Sequence, residues 1–237
     1  MAEMFTAISP TYDLLNHALS LNIDRHWRTI TVGALAAQPG ESILDLCTGT
    51  GDLALALLHR AGARVTGADF SAGMLRVARE KAGKRGLGLP LVQADALALP
   101  FTAGSFDAAT VAFGVRNFQD LDAGLREISR VLKPGGRLAI LEFSSPDRSL
   151  FGALYRFYFR EILPFVGRLV SGDSGAYAYL PATVERFPDA PELATKLNAA
   201  GFTVLQQRRL TGGIATLHSC SKTGPSTRPT DSDKLSP

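Results

Sequence analysis

An α/β fold is what this sequence predicts: a mostly parallel sheet closed by a C-terminal antiparallel hairpin. Three observations carry the prediction. Residues 39–145 alternate short apolar runs with helical ones. A glycine turn, Gly49-Thr50-Gly51, joins the first apolar run to the helical run after it. Near the C-terminus, two β-like runs flank a Gly-Gly bend. Strands separated by helical runs imply right-handed βαβ units and parallel pairing, which makes the arrangement Rossmann-like.

The elements follow in order. Residues 1–38 read as an N-terminal helical cap, with Phe5, Ile8, Tyr12, Leu15, Leu19, Leu21, Ile23 and Trp27 spaced for one or two packed helices and Pro10 near a helix start. Strands are expected over 42–47, 63–69, 89–94, 106–112 and 136–143, and helices over 51–60, 71–84 and 120–132, with a short turn near 97–100. Lys133-Pro-Gly-Gly136 should close the last of these helices and break the chain before Arg137. A helical insertion is expected over 149–190, its first part a long aromatic-rich helix over 149–171; a further helix covers 191–200. The hairpin spans Gly201–Leu210 and Ile214–Cys220. Residues 1–220 thus form one domain, and 221–237, rich in Ser, Thr, Pro, Asp and Lys, read as a disordered tail.

The glycine turn sits where a strand runs into a helix start, a geometry that binds the anionic or phosphorylated end of a nucleotide-like ligand. Gly49-Thr-Gly51-Asp-Leu-Ala54 fits G-x-G-x-x-A, so a dinucleotide is one reading. Three acids favour S-adenosylmethionine. Asp45, four residues before Gly49, is placed for the methionine ammonium; Asp69, ending the second strand, for the ribose hydroxyls; Asp95, after the third, for the adenine amino group. An acid at the ribose serves NAD equally well. A lone Asp at a strand end is ordinarily just solvated, but three in order at three successive strand ends make that explanation poor.

Bulk properties remove other classes. The chain has 237 residues, 46% of them hydrophobic, enough for a sizeable core. A net charge of +3 is a weak argument for nucleic acid, and the basic residues are dispersed. Cys47 and Cys220 lie far apart and His17, His26, His59 and His218 show no ligand spacing, so no metal site is expected. The cysteine usage and the absence of a signal-peptide pattern point to the cytoplasm, and no apolar stretch reaches the roughly 20 residues that span a bilayer.

Several blocks together resemble the ubiquinone/menaquinone biosynthesis C-methyltransferases over residues 3–220. They are Met4-Phe-Thr-Ala-Ile-Ser-Pro-Thr-Tyr-Asp13, Trp27-Arg28, Ala68-Asp-Phe-Ser71, Gln93-Ala-Asp-Ala96, Phe113-Gly-Val-Arg-Asn117, Leu132-Lys-Pro-Gly-Gly136 with Leu141-Glu-Phe143, and Tyr177-Ala-Tyr-Leu180. The resemblance implies a class I S-adenosylmethionine-dependent methyltransferase fold, which a terminal antiparallel hairpin suits better than it suits a dehydrogenase. It implies methylation of a ring carbon of a polyprenylated quinol, with demethylmenaquinol first and 2-polyprenyl-6-methoxy-1,4-benzoquinol second. It carries cofactor contacts onto Thr50, Asp69, Asp95 and Ala96. Two positions depart from the pattern: Cys47 stands where many such enzymes have the first glycine of the turn, and Ala112 where relatives often have a cofactor-contacting serine.

The expected cofactor residues are therefore Asp45, Gly49, Thr50, Gly51, Asp69, Asp95 and Ala96. Arg116 is expected to favour the ionised quinol, with Asn117 orienting the ring; Tyr12 is either a second group that orients it, as a donor to a quinol oxygen, or a packing residue. The competing explanation for Arg116 and Asn117 is a solvated arginine beside a helix-capping asparagine. Asp107 reads as structural, His59 as solvated, and His17 and His26 as packing residues, with a place for one of them in the substrate pocket as the alternative. The 150–170 stretch, with Arg148, Arg156, Arg160 and Arg168 around its aromatics, is either the core of a cap or a surface for the polyprenyl chain and the inner face of the membrane. A homo-oligomer stays open; nucleic acid is not an expected partner. An NAD(P)-dependent oxidoreductase is the rival enzyme class, although Tyr-x-x-x-Lys is absent; the chain also lacks the Asn/Asp-Pro-Pro-Tyr/Phe motif of nucleic-acid methyltransferases.

Overall fold

The computed structural model describes residues 22–144 and 183–224, with Ser20, Pro146 and Gly152 as single residues. Seven strands form one sheet: β1 (Ser42–Leu46), β2 (Arg64–Asp69), β3 (Leu91–Gln93), β4 (Phe106–Ala112), β5 (Leu132–Phe143), β6 (Phe202–Leu210) and β7 (Ala215–Lys222). Their spatial order is β3-β2-β1-β4-β5-β7-β6. Pairing is parallel from β3 to β5, and β7 is antiparallel to both β5 and β6. The strand order reverses between β1 and β4, which opens a crevice at their carboxyl ends.

The helices that frame the sheet are α1 (Ile23–Leu35), α2 (Asp52–Ala61), α3 (Ala72–Lys84), α4 (Leu121–Val131) and α5 (Ala190–Ala199). Side-chain caps start three of them: Ser71 accepts from the Met74 amide, Asp120 from Ala123 and Asp189 from Glu192. The central strands have apolar residues on both faces. Leu44, Leu46, Leu138 and Ile140 join α4 and α5 in one core, while Ile43, Ala139 and Leu141 join α1 and α2 in the other. Trp27 of α1 is buried, and its Nε1 donates to Thr211 Oγ1 at 2.9 Å, tying α1 to the β6–β7 turn.

The expected alternation and hairpin are present, with three boundary corrections. β5 starts at Leu132, not after the glycines. Its register shifts between Leu132, opposite Phe106, and Arg137, opposite Ala108, so Lys133–Gly136 bulge from the ladder instead of ending it. Only Leu91–Gln93 of the third expected strand pair. At the other end, β7 continues through Ser221 and Lys222, two residues into the expected tail, because both pair with β6. Asp107 is structural, accepting from the Ser42 amide and pairing with Lys133, and these contacts hold its carboxyl below the usual range. His59 is exposed as expected; His26 is exposed too, not packed. Tyr12, His17, most of the 149–190 insertion (all but Gly152 and residues 183–190) and residues 225–237 lie outside the described residues.

Candidate functional site

Two adjoining cavities open at the carboxyl ends of β1, β2 and β4. The smaller, about 380 Å³ of open space, lies between Arg28, Asp45, Thr48, Thr50 and Asp52. The larger, about 950 Å³ with its mouth, is bordered by Asp69, Phe70, Met74, Asp95, Ala96 and Asn117. Cys47, Gly49, Ala112 and Phe113 line both and form the neck between them. A ligand with a bulky end and a small polar end would thread this neck.

The turn after β1 is built from three left-handed residues: Cys47 (φ 55°), Gly49 (φ 57°) and Gly51 (φ 86°). The two glycines do different work. A Cβ on Gly49 would meet nothing nearer than the Cys47 carbonyl at 4.0 Å, so this backbone faces open space where a ligand can approach. A Cβ on Gly51 would press on Ala78 Cβ at 3.2 Å, so this glycine lets α2 and the turn pack close to α3 and lines neither cavity. Cys47 accounts for the departure noted in the sequence: it occupies a conformation that favours glycine, and its Sγ packs against Gly114. Burial first, then Asp69, Asp45 and Glu142, push its thiol well above the usual range, so it is a filler and not a nucleophile.

Asp45 is 1% exposed, with Thr110 donating to Oδ1 and Thr48 to Oδ2, each at 2.6 Å. Burial raises its pKa to about 6, against the opposing pull of both hydroxyls and of Arg28. The carboxylate is thus poised for a cation that would restore its charge. Asp69 accepts from the Gly49 amide at 2.9 Å and the Ser71 amide at 2.8 Å, so it anchors the glycine turn as well as bordering the larger cavity. Burial raises its pKa too. Asp95 is exposed at the rim and accepts from the Leu97 amide at 2.9 Å.

The β4 side differs from expectation. Phe113 has φ 58°, a strained value for a bulky residue. Arg116 Nη1 donates to the Phe113 carbonyl at 2.5 Å and to Glu142 Oε1 at 2.7 Å. Glu142, with a side chain 1% exposed, also accepts from the Arg116 and Phe143 amides. The guanidinium expected to face a substrate oxygen is therefore turned to a buried carboxylate, and it lines neither cavity. Asn117 does line the larger one. Beside this pair, the Phe113 and Phe143 rings lie 4.5 Å apart between centroids, with Arg28 over the Phe113 ring and Arg116 over the Phe143 ring.

Of the expected residues, the structure gathers Asp45, Gly49 and Thr50 at the smaller cavity and Gly49, Asp69, Asp95, Ala96 and Asn117 at the larger. Arg28, Phe113 and Glu142 had no assigned part. Glu142 carried a readable signal, since an acid inside the apolar run Leu138–Phe143 needs a buried partner. Among the described residues no cluster of His, Cys, Asp and Glu could hold a metal.

The cavities fit an adenosyl amino acid: acids stand at both ends, and a backbone without side chain faces the neck. The sequence pattern of the ubiE/COQ5 methyltransferase family matches residues 1–222. A demethylmenaquinone methyltransferase from Thermus thermophilus is 53% identical over 91% of this chain and 98% of its own. A ubiquinone/menaquinone biosynthesis C-methyltransferase UbiE from Stenotrophomonas maltophilia is 44% identical over 92% of this chain and 88% of its own. Among solved structures, a SAM-dependent methyltransferase from Aquifex aeolicus superposes with a TM-score of 0.62 at 20% identity, over 83% of this chain and 89% of that one. The cyclase SpnF reaches 0.72 at 18% identity, over 94% and 95%. These structural likenesses speak to the fold alone.

Proposed function

The chain belongs to the ubiE/COQ5 methyltransferase family, and from that premise we propose that it transfers a methyl group from S-adenosylmethionine to a ring carbon of demethylmenaquinol. The observation that supports this most is the pair of joined cavities, with Asp45 at one end and Asp69 and Asp95 at the other. Bound across the neck, the cofactor would supply an electrophilic methyl on a sulfonium. The chain's own residues then have separate tasks. Asp45 meets the ammonium, Asp69 the ribose hydroxyls, Asp95 the adenine edge, and Gly49, Thr50 and Ala96 complete the cradle.

The acceptor carbon becomes strongly nucleophilic when the neighbouring hydroxyl ionises, a free phenol having a pKa near 10, and once methylated it gives up its ring proton to water or a weak base. With Glu142 beside it, Arg116 has little net charge to offer the quinol oxygen. Its part in the proposal is to hold the turn that presents Phe113 and Asn117. Asn117, with Tyr12 from the N-terminal segment, orients the ring. Acceleration comes chiefly from positioning two reactants side by side and excluding water. The aromatic 150–170 stretch is the proposed resting place of the polyprenyl tail, with peripheral contact to the inner face of the membrane. No described helix is long and apolar enough to cross one.

Purified protein given methyl-labelled S-adenosylmethionine should label demethylmenaquinol, and cells lacking the protein should accumulate a menaquinone precursor one methyl lighter. Absence of transfer to any quinol would overturn the reading. Exclusive transfer to 2-polyprenyl-6-methoxy-1,4-benzoquinol would favour the second reading, which the similarity to the Stenotrophomonas protein supports.

A further inference from the structure

The smaller cavity contains a feature that Asp45 and the glycine turn do not use. Arg28 projects into it from α1. Its ion pairs, with Asp24 and with Asp52 at 3.8 Å, both run through Nη1. Nε and Nη2 of the fork thus make neither of these ion pairs. The side chain is 15% exposed and its Cζ lies 5.9 Å from the centroid of Phe113, the ring that forms the neck. The guanidinium thus stands at the junction of the cavity wall and the neck, and it is near enough to Asp45 to lower that group's pKa. Asp52 has a second cation, Lys81, so Arg28 is not needed to neutralise it.

One wall of the cavity is therefore a carboxylate that prefers a cation, and another is a guanidinium. The amino end of α2, starting at Asp52, closes the cavity and adds the partial positive charge of a helix start. An acid and a base lining one small cavity match a zwitterion, with the ammonium to Asp45 and the carboxylate to Arg28. A planar guanidinium can bind a carboxylate through two parallel hydrogen bonds.

We propose that Arg28 is the carboxylate-binding group of the smaller cavity, which takes the α-amino-acid end of the cofactor as a zwitterion. This rests on the S-adenosylmethionine reading above. Arg28 exchanges part of its contact with Asp24 for the ligand, so the α1 helix is drawn onto the cavity when it fills.

The test compares S-adenosylmethionine with its decarboxylated form, which keeps the sulfonium, adenosine and ammonium and lacks only the carboxylate. Binding is measured by calorimetry on the full chain. The wild-type protein should bind S-adenosylmethionine about tenfold or more tightly than the decarboxylated ligand, as a charge-assisted pair demands. Arg28→Gln should lose about that factor for S-adenosylmethionine and less than about twofold for the decarboxylated ligand. Equal losses for both ligands, or no loss for either, would overturn the proposal. Asp24→Asn covers the case in which Arg28→Gln does not fold. It frees the guanidinium from its helix partner, so affinity for S-adenosylmethionine should hold or rise, whereas a fall matched by the decarboxylated ligand would mark Arg28 as a structural residue and sink the idea. Failure of both ligands to bind the wild-type protein would instead remove the cofactor reading itself.

Discussion

Two turns meet at the neck of the site, and they reach the same backbone shape by different means. The turn after β1 uses glycines at φ 57° and 86°, which adopt the left-handed region at no steric cost. Its position is fixed by one carboxylate, Asp69, accepting from the Gly49 amide. The turn after β4 puts Phe113 at φ 58° and holds it with a buried ion pair, Arg116–Glu142, plus the bond from the Phe113 amide to the Leu141 carbonyl. One conformation comes from residue type, the other from tertiary contacts. The glycine conformations of the first are written in the sequence, although Cys47 at φ 55° shares the turn and its anchor, Asp69, lies 20 residues away. The second stores strain and depends on a partner 26 residues away. They interlock where Cys47 Sγ lies against Gly114.

The largest test breaks the second turn. Arg116→Gln strands Glu142 in the interior without a cation, and leaving a buried charge unpaired costs about 3–5 kcal/mol. Urea unfolding should register that loss, and turnover should fall without recovering at alkaline pH. A stable variant whose activity returns at high pH would mean that Arg116 serves the substrate oxygen after all and that the Phe113 turn holds itself.

Asp69→Ala breaks the first turn. It removes the anchor of Gly49 together with the proposed ribose contacts, each charge-assisted bond being worth about 1.5–3 kcal/mol. S-Adenosylmethionine affinity should drop tenfold or more by calorimetry, and an unchanged value would take Asp69 out of the site.

Gly114→Ala probes the contact between the turns. The added Cβ would stand 2.4 Å from Cys47 Cβ, an overlap that something must relieve, at about 1–3 kcal/mol. Cys47→Gly in the same chain should restore much of the stability, because it removes the obstacle and puts glycine where φ is 55°. Additive losses in the thermal melts of the single and double variants would show that the turns are independent.

The smallest effect comes from proton binding. The folded-state pKa of Asp45 is raised to about 6 by burial, so the protonated acid favours the fold at low pH and that support is withdrawn as pH rises from about 4 through 6. Cofactor binding has the opposite sign. The ligand ammonium is charged throughout this range and calls for the ionised carboxylate, so affinity should fall by up to about tenfold per unit as pH drops below 6. Thr48, Thr110, Arg28 and Asp69 surround the group, and only Asp69, also raised, could blur the step. Asp45→Asn should flatten the profile; a slope that persists would assign it elsewhere.

The same contrast explains what the sequence made readable. The βαβ alternation and the glycine turn were legible from apolar runs and glycines a few residues apart, and the three acids from their places at successive strand ends. The hairpin was legible from its two β-like runs and the glycines between them. Lys133-Pro-Gly-Gly misled because it has the composition of a helix stop, while the ladder with β4 resumes on either side of it as a bulge. Arg116 was visible as a special residue, but its orientation was not. The partner that turns it away from the cavities arrives on the next strand, and no local spacing links the two. Arg28 is not legible from spacing alone, because its meaning depends on α1 lying across the amino end of α2.

β7 lies between β5 and β6 although β6 precedes it in the chain. A nascent polypeptide therefore exposes the edge of β5, with Leu138–Leu141 along it, through the synthesis of everything up to Ala215. Such an edge is a template for pairing with a neighbouring chain, and intermediates that carry one are prone to aggregate. The sheet cannot be sealed until Ala215–Lys222 have left the ribosome. For this fold, the hazardous interval in the protein's life is the moment before that segment slides into its slot.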